Sequence, residues 1–220
     1  MSNDTTLTPG RQTSAIDRLI GHVDTVLRTC AGTPFTPDRA NPGNDVTDNL
    51  DDKQRQRAAR LMRVNHAGEV SAQALYHGQA LTARDPEVRA AMHHSAQEEA
   101  DHLAWCGERI GQLDASVSVL NPIWYAGSFG IGALAGVFGD RVSLGFIAET
   151  ERQVVNHLER HIANLPADDD KSRAILEQMR IDEAEHADAA KTAGGVDLPA
   201  PVQAAMGVVS KIMTRTAYWL

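Results

Sequence analysis

The chain has 220 residues, 42% of them hydrophobic but only 5% aromatic, and a formal net charge of −8. That length suits one domain with a sizeable core, and the acidic balance without clustered Lys and Arg excludes nucleic acid as a partner, because a phosphate backbone asks for concentrated positive charge. Cys30 and Cys106 stand far apart and form no Cys-x-x-Cys pattern, which excludes a disulfide framework or thiolate metal site, and residues 1–10 lack the basic start and apolar stretch of a secretory signal, so a reducing cytosolic setting is expected.

Abundant Ala, Glu, Gln and Arg with little apolar–polar alternation predict an all-α protein. Ser14 to Arg28 carries Ile16, Leu19, Ile20, Val23, Val26 and Leu27 at helical spacing. Thr33 to Asn49, rich in Pro, Gly, Asn and Asp, reads as a loop or linker, so residues 1–50 form an extension to a domain over 51–220. Helix one is expected at 52–83, with Asp51 and Asp52 at its positive end, and helix two from Pro86 to Gly111. Helix three follows at 140–165, and helix four at 168–192 stops before Gly194-Gly195.

Two stretches echo each other: Gln97-Glu-Glu-Ala-Asp-His102 and Arg180-Ile-Asp-Glu-Ala-Glu-His186. In each, a Glu and a His three residues apart share one helix face, so each pair can grip one metal ion. A lone Glu precedes each pair, Glu69 standing 30 residues before Glu99 and Glu151 32 before Glu183. The breaks at Asp85-Pro86 and Pro166 fall near the middle of these intervals, and the two legs of the first differ by only about 3 Å at 1.5 Å rise per residue. Antiparallel helices therefore bring Glu69 level with Glu99 and Glu151 level with Glu183. Two such hairpins face to face project four Glu and two His into one bundle core, as in carboxylate-bridged di-iron or di-manganese sites. Four glutamates balance two divalent ions, which allows the group to be buried. A single Glu-x-x-His is more often a solvated face; two at matched heights are hard to produce by accident.

Rival registers exist. Glu98 also shares a face with His102, but Glu99 matches the step from Glu183 to His186; Glu149 competes with Glu151, which gives the better height match. Glu98 and Asp182 are then free to accept from the other ring nitrogen of the histidines across the bundle. Asp101 and Glu185 are expected to face water. His66 is read as an extra ligand, a hydrogen-bonding neighbour or an ordinary partly buried side chain, and His157 as a hydrogen-bonding neighbour of the cluster or a structural side chain.

Residues 115–139 contain no charge, and the expectation is a kinked segment in or against a bilayer interface, with Trp124, Tyr125, Phe129 and Phe138 at its edge. Core or subunit packing and a true membrane span are the alternatives, the latter disfavoured by Asn121-Pro122 and five glycines. Residues 201–220 form a further amphipathic run with Val202, Met206, Val209, Ile212 and Met213, flanked by Lys211 and Arg215.

Asn65-His-Ala-Gly-Glu-Val70, Glu98-Glu-Ala-Asp-His102, Glu151 and Asp182-Glu-Ala-Glu-His186 resemble the demethoxyubiquinone hydroxylases of ubiquinone biosynthesis, in the ferritin-like di-iron carboxylate superfamily. The likeness covers about residues 55–220. It implies a ferritin-like four-helix bundle with additional amphipathic helices, and two iron ions on Glu69, Glu99, His102, Glu151, Glu183 and His186. It also implies O2 as co-substrate and ring hydroxylation of a demethoxy polyprenyl benzoquinol, by a peripheral protein on the cytoplasmic face of the cell membrane among other ubiquinone-biosynthesis proteins. Where some family members have a Tyr after the helix-three His, this chain has His157-Leu158, so that tyrosine's role does not carry over. No Gly-rich nucleotide loop is visible, which leaves the quinol itself, NADH without a dedicated domain, or a separate protein as reductant. The competing readings are a soluble ferritin-like iron oxidase or peroxidase, and a non-enzymatic membrane adaptor with solvated glutamates.

Overall fold

Proline and aspartate punctuate the chain into long helices. A computed structural model, which describes Val26, Thr29, Cys30 and residues 36–220, shows six α-helices and no strand among the described residues. They are α1 (Asp52–Thr82), α2 (Pro86–Gln112), α3 (Asn121–Val137), α4 (Asp140–Asn164), α5 (Asp170–Thr192) and α6 (Ala200–Ala217). Apart from Val26, the expected helix over residues 14–28 lies outside the described residues or among side chains not described.

Each start has a local cause. Asp51 accepts from the Lys53 and Gln54 amides while Gln54 reaches back to the Asp51 amide, a reciprocal cap. Asp85 caps α2 with Pro86 as its first residue, and Asp169 caps α5 through the Ser172 amide. Asp140 accepts from the Arg84 and Asp85 amides at 3.0 and 2.8 Å, tying the α1–α2 turn to the start of α4. Arg109, only 2% exposed, bonds Ser172, Asp169 and Asp48, so its buried charge is paired and it joins α2 to α5.

α1 and α2 form one antiparallel hairpin and α4 and α5 the other, with their facing sides in three layers. At one end pack Met62, Trp105, Ile110, Leu158, Leu176 and Met179; at the other, Tyr76, Met92, Leu144 and Ile147. Each large apolar side chain so enclosed contributes on the order of 1.5–3 kcal/mol. Between the two apolar layers lies a layer of acids and histidines.

Within the uncharged segment, residues 121–137 form one continuous helix, closely seated on α1 through Gly78, Gly132 and Gly136. A Cβ added at Gly132 would stand 2.3 Å from the Leu75 carbonyl oxygen, so glycine is what permits this approach. The aromatic residues expected at a bilayer edge turn mostly inward: Tyr125 is buried with its hydroxyl 3.0 Å from His77 Nδ1, and Phe129 packs beside it. Aliphatic Ile123, Ile131, Leu134 and Val137 face outward instead, with Phe138 after them. No helix among the described residues is long and apolar enough to cross a membrane.

Residues 36–50 do not hang free. Their short 3-10 turn at Pro42–Asp45 rests on α5, and Asn41 Nδ2 donates to Glu108 Oε2 at 2.7 Å. Asp101, expected to face water, is 2% exposed because Arg39 and the Asp38 amide cover it; Glu185 is exposed as expected.

Candidate metal centre

The middle layer gathers all six residues of the repeated motifs. α1 supplies Glu69, α2 Glu99 and His102, α4 Glu151, and α5 Glu183 and His186; five are at most 3% exposed and His186 is 9% exposed. The helical three-residue step leaves each Glu and His of a pair on the same inward stripe. Candidate ligand atoms of Glu69, Glu99, His102 and Glu183 lie within 4.8 Å of one another, as do those of Glu99, Glu151, Glu183 and His186.

Glu99 and Glu183 belong to both groups. His102 Nδ1 is 3.4 Å from Glu99 Oε2 and 3.3 Å from Glu183 Oε1, whereas His186 Nδ1 is 3.5 Å from Glu99 Oε1 and 3.3 Å from Glu183 Oε2. Each of these carboxylates thus turns one oxygen to either histidine, the disposition of a bridge between two ions. Glu69 Oε2, 3.6 Å from His102 Nδ1, serves one side, and Glu151 the other.

The outer ring nitrogens are satisfied by the residues just before each Glu. His102 Nε2 lies 2.8 Å from Asp182 Oδ2, and His186 Nε2 2.8 Å from Glu98 Oε2, each bond crossing from one hairpin to the other. With Nε2 so engaged, both Nδ1 atoms point into the acid layer. Tyr76, to which the sequence assigns no role, donates to Glu151 Oε1 at 2.6 Å. Arg39 was also missed, and sits 2.8 Å from Asp182 Oδ2.

Electrostatics tests the fit to cations. Burial drives the Glu69 carboxyl well above the ordinary range, with the Glu99 and Glu183 charges adding to it. Burial does the same to Glu151, again reinforced by Glu183 and Glu99. His186, though burial pulls it down, is pushed up to about 12 by Glu183 and Glu99. Asp182, though burial raises it, is brought down to about 2 by His102 and Gln178, with Arg39 assisting. Four carboxylates at this depth can ionise together only if positive charge lies among them. Glu69 Oε2, both oxygens of Glu99, His102 Nδ1 and Glu151 Oε2 are buried without a hydrogen-bond partner. Lone pairs converging without partners fit divalent ions.

An apolar cavity of about 360 Å³ opens onto this layer at Glu69 and Glu183. Its walls include Leu75, Trp124 and Ile131 on one side and Phe146, Val154, Val202, Met206, Val209 and Met213 on the other.

A family model described as "Ubiquinone biosynthesis protein COQ7" matches residues 56–217. The chain belongs to the COQ7 family. A relative in Nitrosococcus oceani, named 3-demethoxyubiquinol 3-hydroxylase, is 57% identical over 212 residues, covering 96% of this chain and 99% of its own. Relatives of the same name in Pseudomonas putida and Cupriavidus metallidurans are each 55% identical, over 94% and 92% of this chain and 97% and 99% of theirs. All six motif residues fall inside the COQ7-family match, and Arg39 falls outside it.

Rival positions in this COQ7-family chain are also accounted for. Glu98 is the partner of His186, and Glu149 is held by Arg152 and Gln153. His66, fully buried and lowered to about 4 by burial, has its Nδ1 3.4 Å from the side-chain Nδ2 of Asn121 and belongs to neither ligand group. His157 lines the cavity and lies against His161, ring centroids 3.9 Å apart and the ring planes tilted by 48°. Both cysteines are free.

Proposed function

We propose that the chain is a 3-demethoxyubiquinol 3-hydroxylase, a monooxygenase of ubiquinone biosynthesis that uses two iron ions and O2. One observation carries the reading: in a chain this similar to relatives of that name, an apolar cavity ends on two of the six converging carboxylate and imidazole groups. Bound by Glu69, Glu99, His102, Glu151, Glu183 and His186, the iron pair supplies O2 binding and the two-electron chemistry of hydroxylation. One oxygen atom enters a ring C–H bond and the other leaves as water, so each turnover takes in two electrons and two protons. NADH, or the quinol itself, supplies the electrons.

The protein's own groups set the stage for that reaction. Asp182 and Glu98 fix the tautomer of His102 and His186, and Tyr76 holds one oxygen of Glu151 so that the other faces inward. The cavity's aliphatic walls exclude water from the reacting ring and match an apolar polyprenyl tail. Asn65, whose buried Oδ1 has no partner, and His157 are polar groups in that wall available to the quinol's ring oxygens.

The cavity walls from α3 and α6 belong to the helices that expose Ile123, Ile131, Leu134, Val208, Val209 and Ile212. We place this face on the cytoplasmic surface of the cell membrane, where a polyprenyl quinol can enter sideways. The test is to supply iron-loaded protein with 3-demethoxyubiquinol, reductant and ¹⁸O2. A product carrying one ¹⁸O in a new ring hydroxyl is expected; oxidation of iron without any hydroxylated product refutes the proposal.

A further inference from the structure

The two histidines of the acid layer are not supported alike. Glu98, the acceptor for His186, is 30% exposed, and its nearest other partner is the solvent-facing His94 at 3.8 Å. Asp182, the acceptor for His102, is enclosed. Its Oδ2 takes both His102 Nε2 and Arg39 Nη1 at 2.8 Å, and its Oδ1 takes Gln178 Nε2 at 2.8 Å. Neither oxygen has freedom to turn to water.

Arg39 is itself anchored from several directions. Its Nε donates to Asp101 Oδ2 at 2.9 Å, and the adjoining Asp38 amide donates to Asp101 Oδ1 at 2.7 Å. Its guanidinium lies 4.9 Å from the centre of the Trp105 ring, and Trp105 Nε1 donates to the Arg39 carbonyl at 3.4 Å. A rigid planar fork engages two carboxylates on two helices from separate nitrogens in a fixed geometry, which the compact ammonium of a lysine does not reproduce. Arg39 therefore clamps α2 to α5 over the back of His102.

We propose that Arg39 is a positioning residue that makes the two metal positions unequal: by pinning Asp182 behind His102 it causes the divalent ion at the His102 position to be held more tightly than the ion at the His186 position. This rests on the two-metal reading given above. His102 cannot swing without breaking an acceptor held from three sides, whereas His186 loosens whenever Glu98 turns to solvent.

The experiment loads the full chain anaerobically with two ferrous ions, mixes it with an excess of chromogenic chelator, and follows release with time. Two phases of one ion each are expected. R39Q speeds the slow phase by about 10–100-fold, the usual effect of losing support behind a metal-binding histidine, and leaves the fast phase within about twofold. R39K, which keeps the charge but loses the planar fork, gives an intermediate rate, as does D101N, which reads the same clamp from the bundle side should R39Q not fold. A single phase in the wild type, or equal acceleration of both phases by R39Q, overturns the inference. Release is scored apart from hydroxylation: two phases without hydroxylated product would leave this inference standing and defeat the catalytic reading, and uniform release with product would do the reverse.

Discussion

Replacing Gly132 by Ala measures how tightly α3 is seated. The new Cβ would lie 2.3 Å from the Leu75 carbonyl oxygen and 3.0 Å from the Leu75 Cα, both backbone atoms that no side-chain rotation can move aside. Reaching an ordinary contact needs about 1 Å of helix retreat, and overpacking of this kind costs about 1–3 kcal/mol, here toward the upper end. At about 2–4 °C per kcal/mol for a chain of this size, the melting temperature falls by roughly 4–12 °C. Gly130 on the same helix is the control, because nothing lies within 4 Å of its added Cβ. Gly130→Ala gains about 0.5–1 kcal/mol of helix propensity and raises the melting temperature slightly. Thermal unfolding of both variants, followed by circular dichroism, decides. Equal effects would refute the argument that α3 rests backbone against backbone on α1.

Three further outcomes are expected. Removing residues 201–220 strips one cavity wall, so flotation with liposomes and turnover of long-tailed quinol fall while iron content stays largely intact; full activity on long-tailed quinol would defeat the membrane-entry idea. Tyr76→Phe removes the buried bond to Glu151, a charged hydrogen bond worth about 1.5–3 kcal/mol, and weakens iron binding at the His186 position by about 10–100-fold in a competition titration. His157 and His161 are lowered to about 4 and about 3 by burial, with Arg160 adding to both, whereas the unfolded chain protonates near 6.5. The share of folding stability that these two histidines contribute is therefore fully present above pH 6.5 and is lost as pH drops from there toward 4, since at these two positions only the unfolded state gains protons. His161→Asn removes one such proton and flattens the slope by about 1.4 kcal/mol per pH unit, read from denaturant midpoints across that range.

Much of the bundle was legible because its signals are local. Proline and aspartate mark each start, so expected helix limits such as 52–83 and 140–165 differ from the observed ones by a residue or so. The six converging side chains were legible because a three-residue step repeats twice at matched separations, and helix geometry turns such spacing into shared height. The pairing of Asp182 and Glu98 with the histidines followed from the same register. Less legible was which face of α3 turns inward, since Tyr125 and Ile131 are both apolar and only the glycine contacts with α1 choose between them. Arg39 was illegible for a different reason: its partners Asp101 and Asp182 lie 62 and 143 residues away, and no periodicity connects a loop to helices at such distances. Asp101 looked solvated because the chain that shelters it comes from outside the repeat.

Because Glu99 and Glu183 each face both histidines, neither hairpin owns a complete set of donors. On the ribosome, α1 and α2 emerge long before α5, carrying acids that have no counter-charge of their own. On the two-metal reading, the complete donor set therefore forms only once nearly the whole polypeptide has been made, because α5 brings Glu183 and His186 last.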